Sequence, residues 1–180
     1  TPFWASVVYL LALFGFGAIN YFGQLRDGLV VTGMSDQVSW GFYIANFAFL
    51  VGIAAAAVLL VIPAYIFHRK DVKAVVLLGE GMAVAAVIMA MLFVIVDIGR
   101  PDRAWHVIPF IGRFNFPSSL LAWDIVVLNG YLALNLLIPT YVHFSHYRGR
   151  EPNLKLYFPV VVLAMFWAIS IHTVTAFLFS

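Results

Sequence analysis

Asp124 and His172 are the residues whose types most directly suggest chemistry, a carboxyl group and an imidazole that each lie inside a long uncharged stretch. A buried carboxylate near an imidazole can share or pass a proton, because burial disfavours the lone charge while each charged partner stabilises the other. Glu80 is a second carboxylate interrupting an apolar run rich in Ala and Met. Asp97 and Arg100 stand where that run ends, and Tyr43 and Asn46 open an earlier one. Tyr131 and Asn135 follow Asp124 and Leu128 at helical spacings, so a helix would carry them as one polar stripe.

The elements that must position these groups are membrane helices. Of the 180 residues, 64% are apolar and only 10% charged, whereas a soluble domain carries roughly 25% charged and 45–50% apolar residues. A bilayer crossing needs about 20 mostly apolar residues. The long apolar stretches give five, at about 3–22, 41–67, 74–97, 120–144 and 156–179. Continuous apolarity argues against the alternating strands of about ten residues that build a membrane barrel. The fold class is therefore all-α, a polytopic transmembrane bundle in one domain, with no room for a water-soluble catalytic domain. Ten basic and eight acidic residues form no basic run, so nucleic acid is not an expected partner. Without cysteine the chain offers no thiolates for an iron-sulfur cluster or a cysteine zinc site. The first stretch lacks a basic flank and a small-residue cleavage site, so it reads as a helix rather than a signal peptide. Thr1 and the apolar run ending at Ser180 suggest a piece of a longer protein.

The loops after crossings two and four hold Arg69, Lys70, Lys73, Arg148, Arg150 and Lys155, against Arg26, Arg100, Arg103 and Arg113 in the others. By the positive-inside rule this bias places the N-terminus in the cytoplasm and the connection from Asp97 to Ser119 outside. Trp105 and His106 in that connection suit an interface or a partner protein. At about 1.5 Å per residue, Asp124 then lies roughly 10 Å inside the outer surface and His172 reaches nearly the same level. Asp97, Tyr43 and Asn46 join them, so four helices bring polar groups to one outer-leaflet layer. Glu80 lies roughly 10 Å inside the opposite edge, where it and the Tyr131 to Asn135 stripe could carry protons through waters.

Each residue also has a structural reading. Asp124 could offset a helix macrodipole, with Ser118 or Ser119 better placed as the cap. His172 could bond a backbone carbonyl, and Asp97 and Arg100 could form a helix-end ion pair. Tyr43, Asn46, Tyr131 and Asn135 could be interfacial anchors or interhelical hydrogen bonds. The small-residue run from Gly52 through Ala54 to Ala57 reads as a close packing face. His68 and His143 match in depth as a haem pair would, yet both end helices beside polar loops, where an interfacial histidine needs no ligand role. No haem, cluster or metal is expected on this chain.

The segments Ser39 to Asn46 (SWGFYIAN), Asp97 to Trp105 (DIGRPDRAW), Ser119 to Asp124 (SLLAWD) and Ser170 to Phe177 (SIHTVTAF) resemble the NrfD, or polysulfide-reductase-type, membrane subunits. Within that family the wording is similar to the membrane subunits of sulfate- and sulfite-reduction-associated complexes and of alternative complex III. The resemblance implies a cofactor-free bundle of eight to ten helices, of which this chain would be the first half, in the inner membrane of a prokaryote. It implies a site near the outer surface for menaquinone or ubiquinone, and a neighbouring iron-sulfur subunit that exchanges electrons with it. That subunit would in turn meet cytochrome c or molybdopterin subunits. By motif, Asp124 and His172 would be the proton-exchanging pair, Asp97, Arg100, Tyr43 and Asn46 would surround the quinone, and Glu80 would sit in an inward half-channel with proton translocation as its use.

The expected function is a quinone-reactive subunit of a membrane oxidoreductase. Its rivals are a proton-coupled carrier or channel built on Glu80 and the polar stripe, and a structural anchor. A carrier would favour broken helices at mid-depth, and Pro63 and Pro139 are expected near helix ends instead.

Overall fold

The computed structural model describes residues 2–38, 40–61 and 73–180. Its five long helices are α1 (Pro2–Asp27), α2 (Phe42–Val61), α3 (Lys73–Asp97), α4 (Leu120–Tyr147) and α5 (Leu154–Leu178), with short 3₁₀ turns at Leu29–Thr32 and Pro101–Val107. α1, α3, α4 and α5 are each long and apolar enough to cross a membrane, and α2 contributes a shorter apolar helix over Phe42–Ala57. The chain is a polytopic helical membrane protein. The expected end of the second crossing near 67, His68, Pro63 and the Arg69–Lys70 pair lie outside the described residues.

Helix ends follow local chemistry. α1 runs past the expected residue 22, because nothing stops it before Gly28, whose φ of 85° suits a residue without a Cβ. Ser119 caps α4 by accepting a hydrogen bond from the Ala122 amide, and Asn153 caps α5 by accepting one from the Lys155 amide. Asp124 is thus not the cap. α4 continues past 144 to Tyr147, which leaves Pro139 inside the helix rather than near its end. Proline has no N–H, so the Asn135 carbonyl one turn earlier loses its helical donor.

α2 packs on α3 and α5, and α4 packs on α5 and α3, closing a four-helix bundle. Its core joins Phe47, Val51 and Ala54 of α2, Ala86, Val87 and Ala90 of α3, Val127, Leu128 and Tyr131 of α4, and Ala168 and Ile171 of α5. Lipid is as apolar as leucine, so helices associate in it through close packing and interhelical hydrogen bonds, which small residues permit. Ala54, Ala83 and Ala90 are fully buried on that basis, while Gly52 and Ala56 of the small-residue run face outward. α1 stands beside the bundle with Gln24 as its buried residue.

Gly130 is the tightest point between α4 and α5. A Cβ there would fall inside the Trp167 indole, whose Nε1 donates to the Val127 carbonyl at 2.8 Å. Gly130→Ala should therefore expel the indole and cost about 1–3 kcal/mol, as overpacking does. A lowered melting temperature in detergent with a red-shifted tryptophan emission would show it, and unchanged melting would refute it.

Candidate functional site

Because consecutive helices run antiparallel, the ends of α1, α3 and α5 and the starts of α2 and α4 share one layer. Three contacts fix it. Tyr43 and Phe93 rings lie 6.3 Å apart, Trp40 and Phe179 rings 5.4 Å apart, and Thr175 Oγ1 donates to Asp124 Oδ1 at 3.3 Å. Asp124, Asp97, Tyr43 and Asn46 all belong to this layer.

Asp124 is 1% exposed, the most deeply buried carboxylate among the described residues. It is on the bundle face of α4 with Val127, Leu128 and Tyr131, spaced by three or four residues. Its partner is not His172. The inward face of α5 runs Val161, Ala164, Ala168, Ile171 and Thr175, and His172, one residue round from Ile171, is exposed on the outward side. Thr175 takes the place expected of the imidazole.

A second polar centre joins α1, α2 and α3. The Tyr43 hydroxyl donates to Gln24 Oε1 at 2.7 Å, and Gln24 Nε2 donates to the Val96 carbonyl at 2.8 Å. Next along α3, Asp97 Oδ1 is buried and meets no hydrogen-bond partner among the described residues. Arg100 does not satisfy it, because the chain turns outward at Gly99, with φ of 71°, and Arg100 pairs with Asp102 at 3.1 Å on the exposed surface. The hydrogen bond from Arg100 holds the Asp102 carboxyl below its ordinary range. The expected Asp97–Arg100 ion pair is thus replaced by an Arg100–Asp102 pair. Asn46 is half-exposed and donates to the Phe42 carbonyl of its own helix at 2.8 Å, so it is not tied to the neighbouring helices.

A cavity of about 520 Å³ opens against this centre. Asn20, Gly23, Gln24 and Asp27 of α1 form one wall, Val31, Thr32 and Met34 a second, and Gly41, Phe42 and Tyr43 a third. Its size falls within the 300–1,000 Å³ typical of small-molecule sites, and Asn20, Gln24, Asp27, Thr32 and Tyr43 give it a mixed, strongly polar lining.

Toward the opposite end, a groove of about 350 Å³ is lined by Glu80, Gly81, Val84, Asn135, Pro139, Thr140 and His143. Glu80 is buried, 5% exposed. Tyr131 and Asn135 lie on the bundle face, but both are tied down. The Tyr131 hydroxyl donates to the Ala54 carbonyl of α2 at 2.8 Å, and Asn135 Nδ2 donates to the Tyr131 carbonyl at 2.9 Å. These bonds serve interhelical packing and α4 itself. His143 is exposed at the groove mouth, and His68, its expected haem counterpart, lies outside the described residues.

The part Gln24 and Thr175 take in the two polar centres was not legible in the sequence. Gln24 follows the last uncharged stretch expected of the first crossing and precedes Arg26, so it reads as loop. Thr175 looks like Ser170 and Thr173, whose hydroxyls bond carbonyls of their own helix four residues back. The one signal in the sequence was its four-residue spacing from Ile171 and seven from Ala168.

The sequence is similar to those of several known proteins. The chain is 32% identical over 98% of its length to a putative dimethyl sulfoxide reductase membrane subunit of Halobacterium salinarum, covering 43% of that protein. It is 27% identical over 99% of its length to the Hdr-like menaquinol oxidoreductase integral membrane subunit of Archaeoglobus fulgidus, covering 42% of it. It is 28% identical over 58% of its length to the menaquinone reductase integral membrane subunit of Nitratidesulfovibrio vulgaris, covering 25% of it. The chain thus spans less than half the length of each of these relatives. The family described as Polysulphide reductase, NrfD, matches residues 30–180, taking in α2 to α5 and the polar layer apart from the end of α1, and the chain belongs to that family.

Proposed function

We propose that this chain is the quinone-reactive part of a membrane oxidoreductase, with the quinone headgroup held in the cavity between α1 and α2. The observation that carries this reading is the Tyr43–Gln24 pair on the cavity wall, next to a buried Asp97 oxygen that lacks a partner among the described residues. Quinone oxygens accept hydrogen bonds and quinol hydroxyls donate them. Tyr43 can turn its hydroxyl to the former, and Gln24 or Asp97 can accept from the latter. Two relatives are named for menaquinol or menaquinone, which supports menaquinone as the class of substrate.

Oxidising a quinol to a quinone releases two electrons and two protons, and the reverse reaction takes them up. The protons go to carboxylates of the layer. Asp97, behind the Tyr43–Gln24 pair, is the nearer acceptor, and Asp124 acts as the deeper one, with Thr175 linking it to the turn of α5 that carries His172. Asn46 and Arg100 lie at the rim. The electrons pass to an iron-sulfur subunit on the outer face, itself joined to cytochrome c or molybdopterin subunits. The bilayer is the cytoplasmic membrane of a prokaryote, with the N-terminus inside. The groove at Glu80, Asn135 and His143 supplies an inward proton route beneath Tyr131, and this chain holds no haem, cluster or metal.

Tyr43→Phe removes the donor while keeping the ring against Phe93. Affinity for a short-chain menaquinone analogue should fall about tenfold, the worth of one hydrogen bond of about 1.4 kcal/mol, with melting unchanged. Equal affinity of variant and parent would sink the reading. One observation favours the second reading, a proton-coupled carrier: Pro139 breaks the α4 hydrogen-bond ladder beside the Glu80 groove. Proton flux in vesicles without any quinone would establish it.

A further inference from the structure

The cavity between α1 and α2 is lined by more hydrogen-bond acceptors than donors. Its polar side chains are Asn20, Gln24, Asp27, Thr32 and Tyr43. The three on α1 recur at spacings of four and three residues, so they form one stripe along that wall. The donors of the lining are largely spent within the protein. Asn20 Nδ2 donates to the Phe16 carbonyl at 2.8 Å, Gln24 Nε2 to the Val96 carbonyl at 2.8 Å, and the Thr32 hydroxyl to the Leu29 carbonyl at 2.6 Å. The Tyr43 hydroxyl donates to Gln24 Oε1 at 2.7 Å.

Because each amide nitrogen faces a carbonyl, the amide oxygens are left on the other side. Among the described residues Asn20 Oδ1 and Thr32 Oγ1 keep both lone pairs open, and Gln24 Oε1 keeps one. Asp27 adds a carboxylate, which has no proton to give. Arg26 holds its two oxygens at 2.8 and 3.1 Å, yet the side chain is 43% exposed and a carboxylate has further lone pairs to offer. Against these about seven acceptor sites stand about two side-chain donors, the second N–H of Asn20 and that of Gln24.

A quinone brings two carbonyl oxygens that only accept, whereas its reduced form brings two hydroxyls that donate. A quinone takes the Tyr43 hydroxyl only by breaking the bond to Gln24, but a quinol hydroxyl adds to Gln24 Oε1 with that bond in place. The Asp27 carboxylate repels a carbonyl oxygen and accepts from a hydroxyl in a charge-assisted bond, about twice as strong as a neutral one. The stripe from Asn20 to Asp27 spans about 10 Å of α1, so separate acceptors can meet the oxygens at opposite ends of one ring.

We infer that the cavity takes the quinol in preference to the quinone, with Asn20 and Asp27 as the residues that determine the choice. The inference rests on the quinone reading and adds the redox state of the ligand to it. Loss of two electrons and two protons turns both hydroxyls into carbonyls, and the acceptors that held the quinol then favour release of the product. Asn20 and Asp27 stand on α1, ahead of the stretch 30–180 shared with the family.

The test titrates the full-length protein in its native complex, without oxygen, with a short-chain menaquinone analogue. The quinol is measured in excess dithionite and the quinone in excess ferricyanide. The parent should bind the quinol at least tenfold more tightly. Asn20→Ala should weaken the quinol about tenfold, the worth of one hydrogen bond, and leave the quinone within about twofold of parent. Asp27→Asn, which puts an amide donor where the carboxylate was, should bring the two affinities together. Equal or tighter binding of the quinone by the parent would overturn the inference while the quinone reading stands, and would show that the amides opening α2, which a helix leaves without partners, serve the ligand. Equal losses of both forms in Asn20→Ala would also overturn it. A parent that binds neither form would sink the quinone reading and this inference together.

Discussion

Asp124→Asn should lower quinone-linked electron transfer by about a hundredfold, the lower range for loss of a positioned proton acceptor, while the bundle assembles and melts as before. The asparagine carbonyl can still accept from Thr175, so the 3.3 Å contact survives and packing around the side chain does not change. What is lost is the capacity to take a proton in the middle of the helices. A carboxylate held 1% exposed on a membrane helix, with the neutral Thr175 hydroxyl against it, is expensive to keep by about 2.5–3.5 kcal/mol on insertion scales. Stability should therefore stay level or rise. Thr175→Val tests the same pair from the other side and should cost about tenfold in turnover, since it removes one hydrogen bond of about 1.4 kcal/mol. Steady-state quinol turnover in the assembled complex, paired with thermal melting in detergent, checks both. Near-parent turnover in Asp124→Asn would remove Asp124 from the mechanism and leave it as a structural residue.

Gln24→Leu should have the second-largest effect. The substitution deletes the acceptor for Tyr43 and the donor to Val96, two bonds worth together about 2 kcal/mol, or about thirtyfold in quinone affinity. It also frees α1, because Gln24 is the buried residue of that helix and its hydrogen bond reaches α3. Limited proteolysis at the 28–34 connection should accelerate in step with the loss of affinity. Gln24→Glu keeps the acceptor for Tyr43 and loses the bond to Val96, so its affinity should lie between those of parent and Leu variant. Equal affinity across the series, measured by equilibrium titration of the same menaquinone analogue, would show that α1 forms no wall of the site.

The long apolar stretches made the helices legible, and Gly99 and Pro101 marked the end of α3, while the end of α1 at Gly28 was missed. The inward faces were not legible, because helices that are apolar all round carry no polar side from which to read an orientation. His172 shows the consequence. Depth along the helix put it level with Asp124, but each residue turns by more than a quarter of a circle from the last, and the face set by Ala168, Ile171 and Thr175 leaves the imidazole outside. The same limit hid the bond of Asn46, whose partner is a carbonyl of its own helix, whereas Tyr131 makes the interhelical hydrogen bond that was its structural reading, with an Ala54 carbonyl that leaves no trace in residue type. The places of Asp97 and Tyr43 in the polar layer were readable because they end or begin a helix there. Gln24 was not, since α1 outlasts its own apolar stretch by more than a turn. Pro139 was misplaced for a related reason, as α4 continues through His143 and His146 into a polar tail.

The central claim is that a quinone headgroup occupies the space between α1 and α2, beside Tyr43, Gln24 and Asp97. Photolabelling the intact complex with an azido-menaquinone, followed by peptide mapping, tests it directly. Label should concentrate on 19–24 and 41–43 and disappear when unlabelled quinone is in excess. Competable label confined instead to the α4–α5 face at Trp123 and Trp167 would contradict the account.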